Sequence, residues 1–290
     1  MASAFTDNLK KSCYSSRCFF HKMDITREQP IRCYRAGLAR ARADTLVVEK
    51  RIELDINDGR LRWAMLCLPE NLDALAVGFL RSEGVIRSKT DLREVLVEPD
   101  TRRVCLRGDF DEDALETLTS RWTWGTGCGS GGTGQDLTSP RGDIEKLAAT
   151  QAGGMKISAD TLLQLGREFD SRAKLWRATG GVHACALAEA GGLGLFAEDV
   201  GRHNAFDKIV GLALLGDIGL AGKIIFSTGR LSAEIVSKAV ACGVAMLVSR
   251  SAVTALAADL GKKFNITLIG FARGERLNVY TGFERVDVGK

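Results

Sequence analysis

Residues 182–281 alternate strand-like and helix-like apolar patterns across short breaks, and this alternation constrains the fold more than any other feature of the chain. Apolar runs at 182–189 and 193–198 flank Ala190-Gly191-Gly192 and predict a hairpin. A helix from about His203 to Leu215 follows, then strand 223–227, helix 232–242, strand 244–249, helix 253–264, strand 266–271 and a last strand 277–281. Strands joined through helices by short loops pair in parallel, so the pattern predicts a parallel or mixed sheet covered by helices.

The first half reads differently. Thr45–Ile56 and Leu61–Leu68 predict two strands around the turn Asn57-Asp58-Gly59. Pro69-Glu70-Asn71 opens a helix to Glu83, with Leu72, Leu75, Ala76, Phe79 and Leu80 at helical spacing and Gly84 as its stop. Strands 92–98 and 103–106 and a helix over 111–121 complete an α+β unit. Ser158 is placed to cap a helix reaching about Lys174. The expected organisation is a basic, poorly ordered extension over 1–44, a small α+β domain over 45–124, a Gly-rich loop and linker over 125–156, and an α/β domain with a mixed sheet over 157–290.

Charge and cysteine usage narrow the function. Residues 1–50 hold ten Lys/Arg and five Asp/Glu, whereas the other 240 hold thirty and thirty-one. A body so near neutrality argues against nucleic acid as the partner, because that surface needs concentrated positive charge. No apolar run reaches the roughly 18 residues of a membrane span, and no apolar segment follows Lys10 and Lys11 as a secretory leader requires. The eight cysteines form no CxxC pair, which fits reduced thiols and a cytoplasmic location. Cys13, Cys18, His21 and Cys33 are poorly spaced for zinc, and no metal centre is expected.

Residues 125–134 place Cys128 among six glycines in ten residues. Glycine gives that segment little side-chain cover and free access to positive φ, so the thiol is within reach of other molecules for persulfide carriage, disulfide exchange or covalent catalysis. A linker with an incidental cysteine is the plain alternative. Further on, Glu198-Asp199-Val200-Gly201-Arg202-His203-Asn204 gathers two acids, an Arg, a His and an Asn where a strand hands over to a helix, the position where open α/β sheets bind ligands. Acidic capping of a helix with a solvated His203 accounts for part of it. His183 and Cys185 share one face of the strand after Thr179-Gly180-Gly181; a histidine there suits a ligand contact or a core position equally. Ser227–Ser232 offers hydroxyls, N–H groups and Arg230 to an anion. Phe271-Ala272-Arg273-Gly274-Glu275-Arg276 sets two arginines on a tight loop, a residue type suited to phosphate or guanine acceptors.

In this order the segments TGCGSGG, TGGVHACAL, EDVGRHNAFDKIVG, STGRLSAEIVSKAVACGV and TLIGFARGERLNVYT, with LDALAVGFLRSEGVI before them, resemble the formate dehydrogenase accessory sulfurtransferase family over roughly Thr45–Phe283. The resemblance implies a sulfurtransferase that takes sulfur from a cysteine desulfurase as a persulfide. It delivers that sulfur to molybdenum-bis(molybdopterin guanine dinucleotide), a bound substrate, before the cofactor enters formate dehydrogenase. It implies that Cys128 carries the persulfide, that the guanine-nucleotide contacts fall on Phe271, Ala272, Arg273, Gly274, Glu275 and Arg276, and that the second domain resembles the cytidine deaminase fold without its zinc. The chain has no H-x-E with P-C-x-x-C signature. Within that resemblance Arg273 and Arg276 are expected to anchor the nucleotide, and Asp199, Arg202 and His203 to shape its pocket; a homodimer is expected. Many members carry CxxC at the glycine loop, but here Gly131 holds the second position and leaves Cys128 alone. A cofactor-binding and insertion chaperone without sulfur transfer is the rival reading, and a degenerate nucleoside deaminase a third.

Overall fold

The computed structural model describes residues 23–120, 123–124, 132–133 and 154–289. It opens on an antiparallel ribbon, β1 (Thr26–Arg35) and β2 (Leu38–Val47), paired in unbroken register from Thr26↔Val47 to Arg35↔Leu38. Ala36 and Gly37 turn it with φ of 49° and 84°, the paired positive angles of a two-residue hairpin loop. Residues 26–44 are therefore strand and turn, where a poorly ordered extension was expected. Cross-strand hydrogen bonds impose this on an Arg- and Ala-rich stretch that shows no apolar alternation.

A four-stranded sheet follows in the order β4-β3-β6-β5, built from β3 (Lys50–Ile56), β4 (Leu61–Cys67), β5 (Leu92–Glu98) and β6 (Arg103–Gly108). Helices α1 (Leu72–Ser82) and α2 (Glu112–Ser120) supply its apolar cover. Ile52, Leu54 and Ile56 meet Leu75, Phe79, Leu80 and Leu118 in one buried cluster. A short pair, β7 (Thr123–Trp124) with β8 (Gly132–Thr133), stands on either side of Cys128 in sequence, but Cys128 and the rest of its glycine segment lie outside the described residues.

The second half forms three layers. β9 (Ile157–Ser158) leads into α3 (Ala159–Arg172), whose N-cap Ser158 accepts the Thr161 N–H as its sequence predicts. α4 (Lys174–Thr179) ends at Gly180 in the left-handed conformation. Then come β10 (His183–Glu189), β11 (Gly192–Asp199), α5 (Arg202–Leu215), β12 (Ile224–Ser227), α6 (Ala233–Cys242), β13 (Met246–Ser249), α7 (Ala255–Lys263), β14 (Thr267–Arg273), β15 (Arg276–Thr281) and a short β16 (Val286–Asp287) against β9. The six longer strands make a mixed sheet in the order β11-β10-β12-β13-β14-β15, with β12, β13 and β14 parallel. Side chains alternate across it. Leu187, Ile225, Leu247 and Leu268 face α5, α6 and α7, and Ala186, Phe226, Met246 and Ile269 face Phe169 of α3. The alternating second half thus folds as the mixed α/β sheet its sequence predicts.

Helices α1 and α5 join the two sheets at unusually close range. A Cβ on Gly78 would lie 1.7 Å from the Asp207 carbonyl oxygen, and one on Gly211 would lie 1.8 Å from that of Ala74. Only bare glycine backbone permits this approach. Beside it Lys238 donates to Asp207 at 2.7 Å, and Ser82 donates to the same carboxylate, so the buried charges are paired.

Candidate functional site

The strand directions bring five separate sequence segments to one edge of the six-stranded sheet. β10 and β11 run antiparallel to each other, and β10 runs antiparallel to β12. The start of β10 and the end of β11 therefore sit beside the carboxyl ends of β12 and β13, and the Arg273–Arg276 turn joins them from β14 and β15. Helices α5 and α6 begin at this edge, directing their positive ends toward it. A cleft of about 490 Å³ opens here, lined by Trp176, His183, Thr228, Arg250, Ser251 and Arg273, with Gly180 and Gly181 at its rim.

Strand-end hydroxyls set the loops around the cleft. Ser227 Oγ accepts the Gly229 N–H at 3.1 Å, Ser249 Oγ donates to the Gly229 carbonyl at 2.7 Å, and Ser251 N–H donates to Ser249 Oγ at 2.9 Å. Both serines hold the turns through these bonds, and among the hydroxyls of the Ser227–Ser232 motif only that of Thr228 belongs to a residue that lines the cleft. Thr228 Oγ1 accepts the Ala184 N–H at 3.0 Å and lies 3.2 Å from His183 Nδ1. Burial, then the neighbouring Arg202, His203 and Arg230, hold the His183 pKa below its ordinary value, against the opposing pull of Asp199.

Arg273 of the Phe271–Arg276 segment lines the cleft. Phe271 has φ of +52°, a left-handed backbone that a non-glycine residue rarely adopts, and its N–H is fixed by the Ser251 carbonyl at 2.9 Å. The guanidinium carbons of Arg273 and Arg276 each stand 5.9 Å from the Phe271 ring centroid. Ala272 is buried, while Gly274 and Glu275 are exposed at the turn.

Within the Glu198–Asn204 segment Val200 lines the cleft, while the charged side chains around it are engaged by other parts of the protein. Asp199 is fully buried and 2.7 Å from the equally buried Lys208 ammonium. It also accepts from the N–H groups of Leu68 (3.1 Å) and Gly201 (3.0 Å) and from Asn204 Nδ2 (2.9 Å). Its acceptor sites are taken by the protein, and it joins the β4 exit to α5. Arg202 is buried with Nη2 3.8 Å from Glu234, and its side-chain carbons lie over Gly229, where a Cβ would be 2.9 Å from Arg202 Cβ. His203 Nε2 stands 3.4 Å from Glu234 Oε2; burial holds its pKa down while Glu234 opposes that shift. None of these three side chains lines the cleft.

The sequence reading passed over Trp176 and Arg250. Arg250 lies 6.0 Å over the Trp176 ring and pairs with Asp170 at 2.7 Å, while Glu198 accepts the N–H groups of Leu175 and Trp176 at 3.2 and 2.9 Å. The one local signal for Arg250 was its place just past β13, the same strand-exit position that marked the other motifs.

Cys128 falls outside the described residues, as do Cys13 and Cys18. Among the described residues, Cys67, Cys185 and Cys242 are buried thiols, pushed up by that burial to about 12, 12 and 11 respectively. Thiols so placed stay protonated at neutral pH and are poor nucleophiles.

The family model for the FdhD/NarQ family matches residues 47–287. The sulfur carrier protein FdhD of Wolinella succinogenes is 39% identical over 246 residues, covering 84% of this chain and 83% of that protein. Its namesake in Listeria monocytogenes serovar 1/2a is 34% identical over 264 residues, covering 91% and 100%. A solved structure of a formate dehydrogenase accessory protein from Desulfotalea psychrophila superposes with a TM-score of 0.71 at 27% identity, covering 91% of this chain and all of that one.

Proposed function

The chain belongs to the FdhD/NarQ family, and from that premise we propose that it is a sulfur carrier of formate dehydrogenase maturation, with Cys128 as the persulfide site. The Cys128 thiolate attacks the outer sulfur of a cysteine desulfurase persulfide. The donor S–S bond breaks, the donor thiolate leaves, and the new S–S bond forms on Cys128. Passing that sulfur on as sulfide consumes two electrons; with Gly131 in place of a second loop thiol, an external thiol attacks Cys128 as sulfide leaves, and a second external thiol frees Cys128 by forming a disulfide with the first. The receiver is the substrate molybdenum-bis(molybdopterin guanine dinucleotide), whose nucleotide end occupies the cleft.

The observation that carries this reading is the cleft itself. Arg250, Arg273, Thr228, Ser251 and His183 come from distant parts of the chain to one sheet edge. Two guanidinium groups and several neutral donors suit an anionic nucleotide, and about 490 Å³ accommodates one such end rather than the whole cofactor. Arg276 beside Phe271 extends the positive rim. The described cysteines with strongly raised pKa values leave the sulfur chemistry to a thiol outside this core. The same reading takes the protein as a cytoplasmic homodimer that meets the desulfurase and formate dehydrogenase in turn, its six-stranded layer akin to the cytidine deaminase fold.

The test is intact-mass analysis after incubation with a cysteine desulfurase and cysteine. A gain of about 32 Da, one sulfur atom, is expected on the natural chain and absent from Cys128→Ala. Formate dehydrogenase that matures normally with Cys128→Ala would refute sulfur carriage and favour a cofactor-insertion chaperone.

A further inference from the structure

The sulfur chemistry leaves one titratable side chain of the cleft without a task. His183 stands at the head of β10, half-buried, and lines the cavity. Its Nδ1 is 3.2 Å from Thr228 Oγ1, which already accepts the Ala184 N–H at 3.0 Å. The Thr228 hydroxyl can either give its single proton to Nδ1 or accept a second N–H from it, and the first arrangement makes Nδ1 the acceptor. With Nδ1 accepting, the neutral ring carries its own proton on Nε2.

The surroundings oppose a second proton. Burial comes first, and Arg202 from α5 and Arg230 from the β12–α6 turn add positive charge nearby; Asp199, at the end of β11, opposes them but is itself paired with Lys208. Thr228 is held by two backbone bonds to β10, its N–H donating to the Ala184 carbonyl at 3.0 Å. The contact with Thr228 thus holds the ring in orientation.

Resting on the nucleotide reading above, we propose that His183 is a ligand-binding residue of the cleft, a fixed neutral donor that offers Nε2–H to an acceptor atom of the nucleotide end. Arg250 and Arg273 supply charge, which attracts any anion. A neutral donor of fixed direction adds what charge lacks, a requirement that the ligand present an acceptor at one place.

The probe is GDP, titrated calorimetrically into the full-length protein. His183→Ala is expected to weaken GDP binding about tenfold. His183→Gln, whose amide nitrogen reaches the Nε2 position, returns affinity to within about threefold, whereas His183→Asn, which reaches only the Nδ1 position, does not. Thr228→Val, which removes the hydroxyl but keeps the shape, weakens binding severalfold. Nitrogen-15 spectra of the natural protein at about pH 8 are expected to show Nε2 protonated and Nδ1 bare, with and without GDP.

GDP bound equally well by His183→Ala, rescue by Asn equal to rescue by Gln, or a proton found on Nδ1 overturns the donor while leaving the nucleotide reading intact. Failure of the natural protein to take GDP overturns the nucleotide reading and the donor's ligand together. A His183 variant that melts early is set aside in favour of Thr228→Val and the spectra of the natural chain, which decide the matter without it.

Discussion

Asp199→Asn separates the framework of the site from its contacts. The carboxylate stands 2.7 Å from the Lys208 ammonium, and both side chains are fully buried. Three further donors converge on it from Leu68, Gly201 and Asn204. Asparagine accepts through one oxygen only and brings two donors of its own, so it cannot satisfy these groups. Lys208 keeps the carbonyls of Leu68 and Glu198 at 3.1 and 3.2 Å but loses its counter-charge. Removing one partner of a buried ion pair costs about 3–5 kcal/mol. At the low end of the sensitivity for large domains, about 2 °C per kcal/mol, the melting midpoint falls by about 6–10 °C. Asp199→Leu with Lys208→Met removes both charges and is expected to recover more than half of that loss. Scanning calorimetry of the two variants and the natural chain measures the stability changes; GDP titration below the melting range measures the site. Affinity of folded Asp199→Asn stays within about threefold of the natural chain, since this carboxylate is saturated and does not line the cleft. A midpoint lowered by less than about 3 °C, or a tenfold loss of GDP affinity in the folded variant, would refute the assignment of Asp199 to the framework and return it to the pocket where the sequence reading placed it.

Two other perturbations test the cleft's surroundings. Burial holds the His203 pKa down, so the unfolded chain takes a proton that the folded chain refuses. The associated stability is present above about pH 6.5 and is lost as pH falls from there toward the depressed folded value. His203→Gln is therefore expected to lose less melting temperature than the natural chain between about pH 7 and pH 5.5, and parallel losses in a thermal scan would exclude this linkage. Phe271→Gly relieves a left-handed backbone costing about 1 kcal/mol while removing the ring beside Arg273 and Arg276. Its melting point should hold within about 3 °C while GDP affinity drops about tenfold, and a variant that binds GDP unchanged would show the ring to be dispensable.

Much of the fold was legible because local patterns specify it. Ser158 caps α3, Asn57-Asp58-Gly59 turns β3 into β4, and the elements from 182 to 281 fall within a few residues of their predicted bounds. The β1–β2 ribbon was not legible. Ala39, Arg40, Ala41, Arg42 and Ala43 carry no strand preference, and the pairing depends on partners across the hairpin; Gly37 in a two-residue turn was its only signal. Within the site, strand-exit motifs flagged Thr228 and Arg273. They could not tell that Asp199 would be consumed by Lys208, nor that Arg250 would meet Trp176, because those partners lie 9 and 74 positions away in sequence. Chemistry at strand ends is visible in one dimension, whereas which side chain neutralises which is settled by packing.

The backbone contact between α1 and α5 has a mechanical consequence. Two helices touching at Gly78 and Gly211 have no intervening side chains to slide or repack, and the hydrogen bond from Ser82 of α1 to Asp207 of α5 fastens the same seam. The four-stranded and six-stranded sheets are therefore stiffly coupled, without the compliant layer that a hinge needs. Any change of shape at the cleft therefore falls to the loops at the sheet edge, while the frame that holds them keeps its shape.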